Sequence, residues 1–393
     1  MTADMNRLHA LEEVSDGSRR PRICLPTARR FSRMAFQCAH LEAQDVFARV
    51  DDVDLIELEP EPGFHTRQHW LRRLMYRDVS RKLAFVNPGL KRVRLAKDYD
   101  LLVVMCQTYW DFLNVNAIDG WKDHVKTSIC WIDELWAANL PLYKYWLPSL
   151  RRFDHVVLGM QGTVAPLSEA IGRRCHYVPA GVDAIRFSPY PETPDRVIDV
   201  YSMGRKWNGI HQALLKQAAS NEIFYIYDTL QTGESQASDH RQHRDLYANT
   251  AKRSRFFTVA PGKMDAQAET QGQIEVGFRY YEGSAAGTVM IGQAPDCPPF
   301  REMFDWPDAV IPIRPDGSDV TDTLSRLRAQ PDRLEQISRR NAEGALLRHD
   351  WAYRWARILE IAGLNPGSGM EIRRMTLKAL AEHANASARG ALA

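Results

Sequence analysis

Residues 275–291 read EVGFRYYEGSAAGTVMI, the pattern of a helix, a tight turn and a buried strand in succession. The small residues at 283–287 allow the predicted helix to lie close to a sheet, and Gly287 suits the turn that ends it. The apolar run Thr288–Ile291 predicts the strand. A helix that leads directly into a buried strand is a unit of a parallel sheet, so this stretch indicates an α/β fold.

The same alternation of strand and helix continues on both sides of this stretch. In the second half of the chain, further strands are predicted at Val197–Met203, Ile223–Tyr227, Phe256–Val259 and Ala309–Ile313. In the first half, apolar runs predict strands at Arg22–Pro26, Val53–Leu58, Leu101–Cys106, Ser128–Ile132, His155–Leu158 and His176–Pro179. Helix-length connections separate them, as in doubly wound domains whose ligands bind beyond the carboxyl ends of the strands.

A proline-rich stretch divides the chain into two predicted domains. Pro189, Pro191 and Pro194 lie in a polar segment that can continue neither a helix nor a central strand. A length of 393 residues also fits two hydrophobic cores. The predicted divisions are a flexible arm at 1–22, an N-terminal Rossmann-like domain at 23–185, a C-terminal Rossmann-like domain at 186–348, and a crossover helix with a tail at 349–393.

The overall composition is that of an ordinary globular protein. Hydrophobic residues make up 45% of the chain and charged residues 25%, so both domains can bury a core. The net charge of +2 gives no global reason to expect nucleic acid as a partner. The sequence contains no run of about eighteen apolar residues, which predicts a cytoplasmic protein.

The cysteines and acidic residues do not suggest a metal site. The six cysteines are scattered and lack the spacing of zinc ligands, so we expect buried, reduced thiols. The pair Asp51–Asp52 is predicted to be a solvated turn. The sequence therefore predicts a protein that works without a bound metal.

Three segments of the second half resemble the nucleotide-sugar half of the group 1 glycosyltransferases, which are retaining GT-B enzymes. The segments are Tyr177–Asp183, Ser202–Lys206 and Glu275–Val289, and the likeness extends over about Tyr177–Gly363. The resemblance implies a GT-B fold, in which two Rossmann-like doubly wound domains face a central cleft. It also implies that the N-terminal domain is the acceptor side and that the C-terminal domain binds a nucleotide sugar.

The second segment implies a diphosphate site. In that family a Gly-Arg pair after a strand binds the donor diphosphate, and the resemblance assigns this role to Gly204 and Arg205. A planar guanidinium suits phosphate because it offers several charge-assisted donors. The family's lysine corresponds to Ile210 here, so Lys206 or His211 would have to supply the second positive group. The alternative is a solvated Arg-Lys turn.

The third segment implies the rest of the donor site. In the family a glutamate on a small-residue helix binds the ribose hydroxyls, which points to Glu282, while the first amides of that helix face the diphosphate. The family's second glutamate lies eight positions earlier, whereas Glu275 lies seven positions earlier, so Glu275 is either displaced by a local gap or not in contact with the sugar. The predicted catalytic residues are Arg205, Glu282 and Glu275. The predicted donor-binding residues are Gly204, Arg205, Lys206, His211, Gly277, Phe278, Arg279, Glu282 and Gly283.

Candidate acceptor residues follow two predicted strands of the first half. Gln107 and Tyr109 follow one strand, and Asp133 and Glu134 follow another. Aromatic rings beside carboxylates suit a carbohydrate acceptor, and core packing explains the aromatic residues equally well. Residues 70–97 are strongly basic with interleaved apolar residues, which predicts either a peripheral membrane contact or a solvated helix face.

The sequence as a whole predicts a hexosyltransferase-like glycosyltransferase of polysaccharide biosynthesis. It would move a sugar, with retention, from a nucleotide-diphosphate donor to a glycan, lipid-linked or small-molecule acceptor. The nucleotide sugar is a co-substrate, and no further cofactor is expected because GT-B enzymes hold diphosphate with amides and basic side chains. Two alternatives stay open, namely a nucleotide-sugar epimerase or hydrolase on the same fold and a non-catalytic module that binds carbohydrate or nucleotide.

Overall fold

The computed structural model describes residues 22–32, 34–77, 79–228 and 236–390, without the side chains of Tyr109 and 386–390. The predicted arm at 1–22 therefore lies almost entirely outside the described residues. The strands are, in chain order, β1 (Ile23–Thr27), β2 (Val53–Glu57), β3 (Val93–Arg94), β4 (Tyr99–Thr108), β5 (Ile118–Asp119), β6 (Val125–Glu134), β7 (His155–Leu158), β8 (His176–Tyr177), β9 (Ile198–Ser202), β10 (Tyr225–Tyr227), β11 (Ser254–Val259), β12 (Val289–Gly292) and β13 (Ile311–Pro312).

Helices connect these strands. The α-helices are α1 (Cys38–Val50), α2 (Phe64–Tyr76), α3 (Val164–Ile171), α4 (Ala184–Phe187), α5 (Asn208–Ala219), α6 (His240–Lys252), α7 (Gln267–Thr270), α8 (Phe278–Ala285), α9 (Pro298–Met303), α10 (Val320–Arg328), α11 (Pro331–Arg348), α12 (Trp351–Ile361) and α13 (Ser368–Gly390). Short 3₁₀ helices lie at Ala35–Gln37, Arg81–Phe85, Tyr109–Ala117, Trp121–His124, Ala137–Tyr143, Leu147–Arg152 and Gln161–Thr163.

Two parallel sheets organise the two halves of the chain. The first sheet has the strand order β2-β1-β4-β6-β7-β8, and the second has the order β10-β9-β11-β12-β13. All eleven strands predicted from the apolar runs are present in these sheets. The two unpredicted strands, β3 and β5, pair only with each other and are two residues long. Two Rossmann-like domains that face each other across a cleft form the GT-B fold, as the resemblance implied.

The strand order reverses once in each sheet. β1 lies between β2 and β4, and β9 lies between β10 and β11. At such a switch point the connections leave in opposite directions and open a crevice beyond the carboxyl ends of the strands. One pocket lies beyond β1 and β4, and another lies beyond β9 and β11. The topology thus places a candidate ligand site in each domain.

Helix α8 lies directly on the second sheet because of a glycine. A Cβ added to Gly283 would lie 2.9 Å from Cδ1 of Phe257 and 3.1 Å from Sδ of Met290. A larger residue at position 283 would therefore force the helix away from the sheet. Gly287 ends the segment with a φ of +61°, a conformation that favours glycine. The predicted close packing of this helix is confirmed.

The last helices of the chain return to the N-terminal domain. Trp355 of α12 is fully buried, and its ring stacks on Phe47 of α1 with a centroid distance of 4.3 Å. Helix α13 also contacts α1. Arg373 of α13 donates hydrogen bonds to Asp183 at 2.6 Å and to Asp350 at 2.7 Å, and all three residues are buried. Helices α12 and α13 therefore pack against α1 of the N-terminal domain.

One acidic residue is buried, contrary to the prediction of a solvated turn. The Asp51 side chain is fully buried and accepts hydrogen bonds from Arg22 at 2.9 Å and from Nε1 of Trp355 at 3.3 Å. The prediction was wrong because these partners lie 29 and 304 residues away along the chain. Neither contact can be inferred from the residues that adjoin Asp51 in the sequence.

The cysteines are buried, as predicted for reduced thiols. All six lie within the described residues, and each is free. Burial raises the pKa of the Cys24 thiol to about 12, so this thiol stays protonated at neutral pH. Among the helices that the structure describes, none is both long enough and apolar enough to cross a membrane.

Candidate functional site

The turn after β9 presents one arginine to the cleft and fixes the neighbouring lysine. Gly204 has a φ of +79°, and its N–H donates to Asp228 at 2.9 Å. Lys206 forms an ion pair with the same carboxylate and is mostly buried. Arg205 is half exposed, and its one ion-pair partner among the described residues is Asp265, which is equally exposed. Lys206 therefore stabilises the turn, and Arg205 is the basic group that an incoming anion can reach.

An aromatic pocket lies beside this turn, at the switch point of the second sheet. The His211 ring contacts Tyr227 at a centroid distance of 4.8 Å and hydrogen-bonds the Tyr225 hydroxyl at 2.8 Å. Burial and the Lys206 charge lower the pKa of His211, so its imidazole is neutral at pH 7. The pocket is lined by Ser202, Arg205, Trp207, His211, Tyr225 and Ala260. Its volume is only about 10 Å³, which is room for about one water molecule, so a planar ligand could lie against its aromatic rim but not inside it.

The N-terminus of α8 faces the same turn. Gly277 precedes the helix, and no side chain in the described ranges caps its first amides. Arg279, in the first turn of α8, donates from Nε to the carbonyl of Met203 at 3.1 Å. This bond holds the start of the helix beside Gly204 and Arg205. Free amides and the positive end of the helix dipole form an anion-binding site.

Glu282 is placed differently from the predicted ribose contact. Only 1% of its surface is exposed, and its carboxylate accepts hydrogen bonds from Arg244 at 2.5 Å, from Tyr247 at 2.8 Å and from Arg279. Burial alone would raise its pKa, but the charges of Arg279 and Arg244 lower the pKa to about 2. The carboxylate thus stays ionised beneath α8, where its oxygens are already paired. In this arrangement Glu282 orients Arg279, and its role as the ribose contact stays a prediction.

The partner of Glu282 connects the two domains. Arg244 also donates to Glu42 of α1, from Nε at 2.8 Å and from Nη2 at 3.1 Å. Glu42 further accepts from the backbone N–H of Asp183 at 2.9 Å and from Nε1 of Trp351 at 3.2 Å. Sequence reasoning missed this buried Glu-Arg-Glu triad because its members lie 202 and 38 residues apart.

Glu275 holds the two domains together rather than standing free in the cleft. It is buried, and its carboxylate accepts the backbone N–H groups of Gln161 at 3.2 Å and Gly162 at 2.8 Å. The amide of Gln273 donates to the same carboxylate at 2.6 Å and to the Thr163 hydroxyl at 3.0 Å. These contacts join the loop before α8 to the N-terminal domain. Of the two readings left open, the structure favours the one in which Glu275 does not touch the sugar.

Polar residues of the N-terminal domain face this site from the other wall. His40 lies in the first turn of α1, and its ring contacts Phe278, the first residue of α8, at a centroid distance of 5.8 Å. Its Nε2 lies 3.7 Å from Asp133, and Gln107 donates to the same carboxylate at 3.2 Å. Nδ1 of His40 and Oε1 of Gln107 are buried without a hydrogen-bond partner among the described residues. Such unpaired buried atoms are rare in folded proteins and fit a bound polar ligand.

Burial keeps this polar group uncharged. It lowers the pKa of His40 to about 4. Burial, together with the nearby charge of Glu134, raises the pKa of Asp133 to about 8. At neutral pH the imidazole and the carboxyl are therefore both neutral, and their 3.7 Å approach is not an ion pair. Gln107 and Asp133 are predicted from the sequence, whereas His40 is not, because it belongs to no local motif.

The other two predicted acceptor residues are Glu134 and Tyr109. Glu134 pairs with Lys263 of the opposite domain at 2.7 Å and accepts from Nε1 of Trp136 at 3.0 Å. It therefore contributes to the domain contact. Tyr109 belongs to a 3₁₀ helix, but its side chain lies outside the described residues.

A large cavity opens beyond β1 and β4 on the N-terminal side. Its volume is about 610 Å³, which is large enough for a sugar residue and part of a second group. Its lining includes Ala28, Phe31, His40, Gln44, Arg72 and Gln107. The cavity shares His40 and Gln107 with the polar wall that faces α8. An acceptor in this cavity would meet a donor held by the C-terminal domain.

Residues 205–360 match the family model described as glycosyl transferase-like. No curated protein matches the chain. The sequence-based recognition of a glycosyltransferase is confirmed for this part of the chain.

Solved structures with a similar overall fold include three that contain a uridine nucleotide. Anabaena HepE in complex with UDP-glucose is 11% identical and has a TM-score of 0.47, covering 87% of this chain and 99% of that chain. An alpha-glucosyltransferase in complex with UDP-glucose and DNA is 11% identical with a TM-score of 0.49 and the same coverage. Staphylococcus aureus MnaA in complex with UDP is 12% identical with a TM-score of 0.44, covering 86% and 95%. The low identities leave the donor and acceptor of this chain open, and the expectation that it binds no nucleic acid stays a prediction.

Proposed function

Because residues 205–360 form a glycosyl transferase-like domain within a GT-B fold, we propose that this protein transfers a sugar from a nucleoside diphosphate donor to an acceptor hydroxyl. One observation carries the proposal. The exposed Arg205 and the uncapped start of α8 meet on one wall of the cleft, and the neutral group of His40, Gln107 and Asp133 lies on the other wall.

The donor would bind through its diphosphate. The amides at the start of α8 and the guanidinium of Arg205 supply donors on two sides of the phosphates, and Arg205 exchanges its partner Asp265 for phosphate oxygen. The nucleoside then lies at the mouth of the aromatic pocket beside His211, because the pocket itself, at about 10 Å³, is too small to enclose it. Neither Glu282 nor Glu275 needs to touch the donor in this arrangement. Both carboxylates act by fixing the position of α8.

The sugar would lie between α8 and the polar wall. Its hydroxyls pair with the free Nδ1 of His40 and the free Oε1 of Gln107. The acceptor oxygen bonds to the anomeric carbon on the face of the sugar that the diphosphate leaves, the bond from that carbon to the diphosphate oxygen breaks, and the departing diphosphate takes the acceptor proton on that same face. This course retains the configuration at the anomeric carbon. This reaction requires preorganised hydrogen-bond donors around the diphosphate. In enzymes such donors supply much of the stabilisation of the charge that develops in the transition state.

Replacement of Arg205 by alanine is expected to weaken nucleoside diphosphate binding by about 10-fold to 100-fold. The reason is that hydrogen bonds to a charged group contribute about 1.5–3 kcal/mol. Thermal-shift titrations with uridine, guanosine and adenosine diphosphates would measure the effect, since a ligand at 100 times its Kd stabilises by about 2.7 kcal/mol.

Arg255→Ala is the matched control for this experiment. Arg255 is 51% exposed, compared with 52% for Arg205, and it also pairs with an aspartate, Asp199. It lies at the amino end of β11, away from the cleft. We expect its substitution to leave nucleotide binding unchanged. Equal losses in both variants would remove the role assigned to Arg205.

Product analysis separates the proposed transferase from the two alternatives. Incubation with a nucleotide sugar alone gives an epimer or free sugar if the protein is an epimerase or hydrolase. A transferase instead releases nucleoside diphosphate in step with the glycosylation of an added acceptor, and NMR of the new linkage reports retention. Binding of a nucleotide sugar without any turnover across a panel of acceptors would point to the non-catalytic module.

A further inference from the structure

Exposed apolar side chains are concentrated in one short part of the N-terminal domain. Large hydrophobic residues that are well exposed occur at fourteen places in the described chain, and six of these places lie within residues 70–86. They are Trp70, Leu74, Tyr76, Val79, Phe85 and Val86. Scattered exposed apolar residues are normal, but such a concentration marks a surface that meets another molecule.

Helix α2 gives this surface its shape. Phe64, Leu71 and Met75 are buried beneath the helix, whereas Trp70 and Leu74 lie one turn apart on its outer side. Trp70 is 53% exposed and Leu74 is 36% exposed. The chain then continues to Val79, which is 61% exposed and whose N–H approaches the Leu74 carbonyl at 3.4 Å.

Arginines accompany the exposed apolar residues. Arg73 and Arg77 are exposed on the outer side of α2, and the Arg73 guanidinium lies 5.5 Å from the centre of the Trp70 ring. Residues 62–77 contain four arginines and no acidic residue. We call Trp70, Arg73, Leu74, Arg77 and Val79 the α2 patch. An apolar stripe flanked by arginines fits the boundary between lipid headgroups and acyl chains.

The inner side of the same helix lines the large cavity. Phe64, His65, Gln68 and Arg72 contribute to its wall. Nε of Arg72 is buried and has no hydrogen-bond partner within the part of the chain that the structure describes. Helix α2 therefore separates the α2 patch from a cavity that contains a free arginine donor. That donor suits an anionic head group.

We propose that the α2 patch docks on an anionic membrane surface and that the acceptor is lipid-linked. The proposal rests on the proposed function, since the cavity is taken to be the acceptor site. The lipid stays in the membrane beneath the α2 patch, and the polar head of the acceptor enters the cavity beside Arg72. Basic residues near an anionic membrane attract its surface charge, and the Trp70 and Leu74 side chains insert among the lipids.

A nucleic acid is the other class of macromolecule that a basic surface could bind. Interfaces with DNA are polar and strongly positive, and their affinity comes mainly from phosphate contacts. The outer side of α2 alternates arginines with large exposed apolar residues, for which a phosphate backbone provides no partner. The observations therefore favour a membrane.

Vesicle flotation of the full chain tests the proposal. We expect the protein to bind vesicles of phosphatidylcholine that contain roughly 30% phosphatidylglycerol, and not to bind vesicles of pure phosphatidylcholine. High salt should weaken the binding to the anionic vesicles. The variants Trp70→Ser/Leu74→Ser and Arg73→Gln/Arg77→Gln should each bind the anionic vesicles about tenfold more weakly. The matched controls, Val197→Ser/Phe224→Ser and Arg253→Gln/Arg255→Gln, make the same kinds of change at exposed positions of the C-terminal domain. They should bind like the wild type.

Three results would overturn the proposal. They are no binding to the anionic vesicles, equal losses in the α2 patch variants and in the controls, and displacement of the vesicles by a short DNA duplex that binds more tightly. Nucleoside diphosphate stabilisation, measured without lipid, tests the proposed function separately. Vesicle binding without nucleotide binding would contradict the transferase, and nucleotide binding without vesicle binding would contradict only the membrane surface.

Discussion

Replacement of Arg244 by methionine is expected to destabilise the protein by about 3–5 kcal/mol. The substitution removes the cation that the buried carboxylates of Glu42 and Glu282 share, so that Glu42 keeps only Arg186 and Glu282 keeps only Arg279 as charged partners among the described residues. Removal of one partner from a buried ion pair has a cost of that size. Urea unfolding monitored by tryptophan fluorescence would measure it, because Trp351 is fully buried and donates to Glu42 of this triad. The same variant should loosen the contact between the domains, since Glu42 belongs to α1 and Glu282 to α8.

Two further variants distinguish charge imbalance from a simple loss of packing. Arg241→Met, three residues earlier on the same helix, removes an arginine that is 59% exposed and pairs with Asp45. We expect it to cost less than about 1 kcal/mol because Arg241 is largely solvated and the buried Asp45 keeps Arg29 and His240 as partners. The triple variant Glu42→Gln/Arg244→Met/Glu282→Gln removes all three charges and should recover much of the lost stability. A triple variant no more stable than Arg244→Met alone would argue against charge imbalance as the cause.

Replacement of His40 by alanine is expected to lower kcat/KM by about 100-fold while the fold is retained. Its free Nδ1 would pair with the transferred sugar, and loss of one preorganised active-site donor commonly costs about that much. Steady-state kinetics of nucleoside diphosphate release would measure the loss. Circular dichroism and the unfolding midpoint provide the structural control.

Asp133 gives the same site a characteristic pH dependence. Since burial raises its pKa to about 8, the carboxyl is protonated at pH 7 and ionises as the pH rises through 8. We expect the wild-type rate to fall in that range because a buried negative charge would then face the sugar beside His40. Asp133→Asn mimics the neutral acid, so it should keep most of the activity at pH 7 and lose the decline above pH 8. An unchanged decline in Asp133→Asn would show that another group titrates.

Much of the fold could be predicted from local patterns in the sequence. Apolar runs bounded by turn residues identified every strand of the two sheets, because buried parallel strands are continuously hydrophobic. The glycine at 283 and the small residues after it indicated how closely α8 packs, since a missing Cβ is a property of the sequence itself. The assignment of Gly204 and Arg205 came from the resemblance to the glycosyltransferase family, and the structure places their turn after β9, beside the switch point of the second sheet.

The hydrogen-bond and ion-pair partners of the site residues could not be predicted from local sequence patterns. The motif pointed to Glu282 but gave no sign of Arg244, which comes from a different helix and turns the expected ligand contact into a buried ion pair. His40 lies in the first turn of α1, where no sequence motif marks it. Its place in the candidate site is visible only from its contacts with Asp133 and Phe278. Glu275 was ambiguous for the same reason, since its partners are backbone amides of the other domain. Contacts between distant segments decide the roles of all three residues.

The return of the last helices to α1 affects the order in which the protein can be completed during synthesis. Phe47 stacks on Trp355, and the ribosome adds that tryptophan about 300 residues later. Domains generally fold as units while the chain emerges, yet here the first domain lacks one of its packing layers until the ribosome has added α12. A nascent chain halted before α12 would carry an uncovered apolar helix, which makes it a client for chaperones that bind such surfaces.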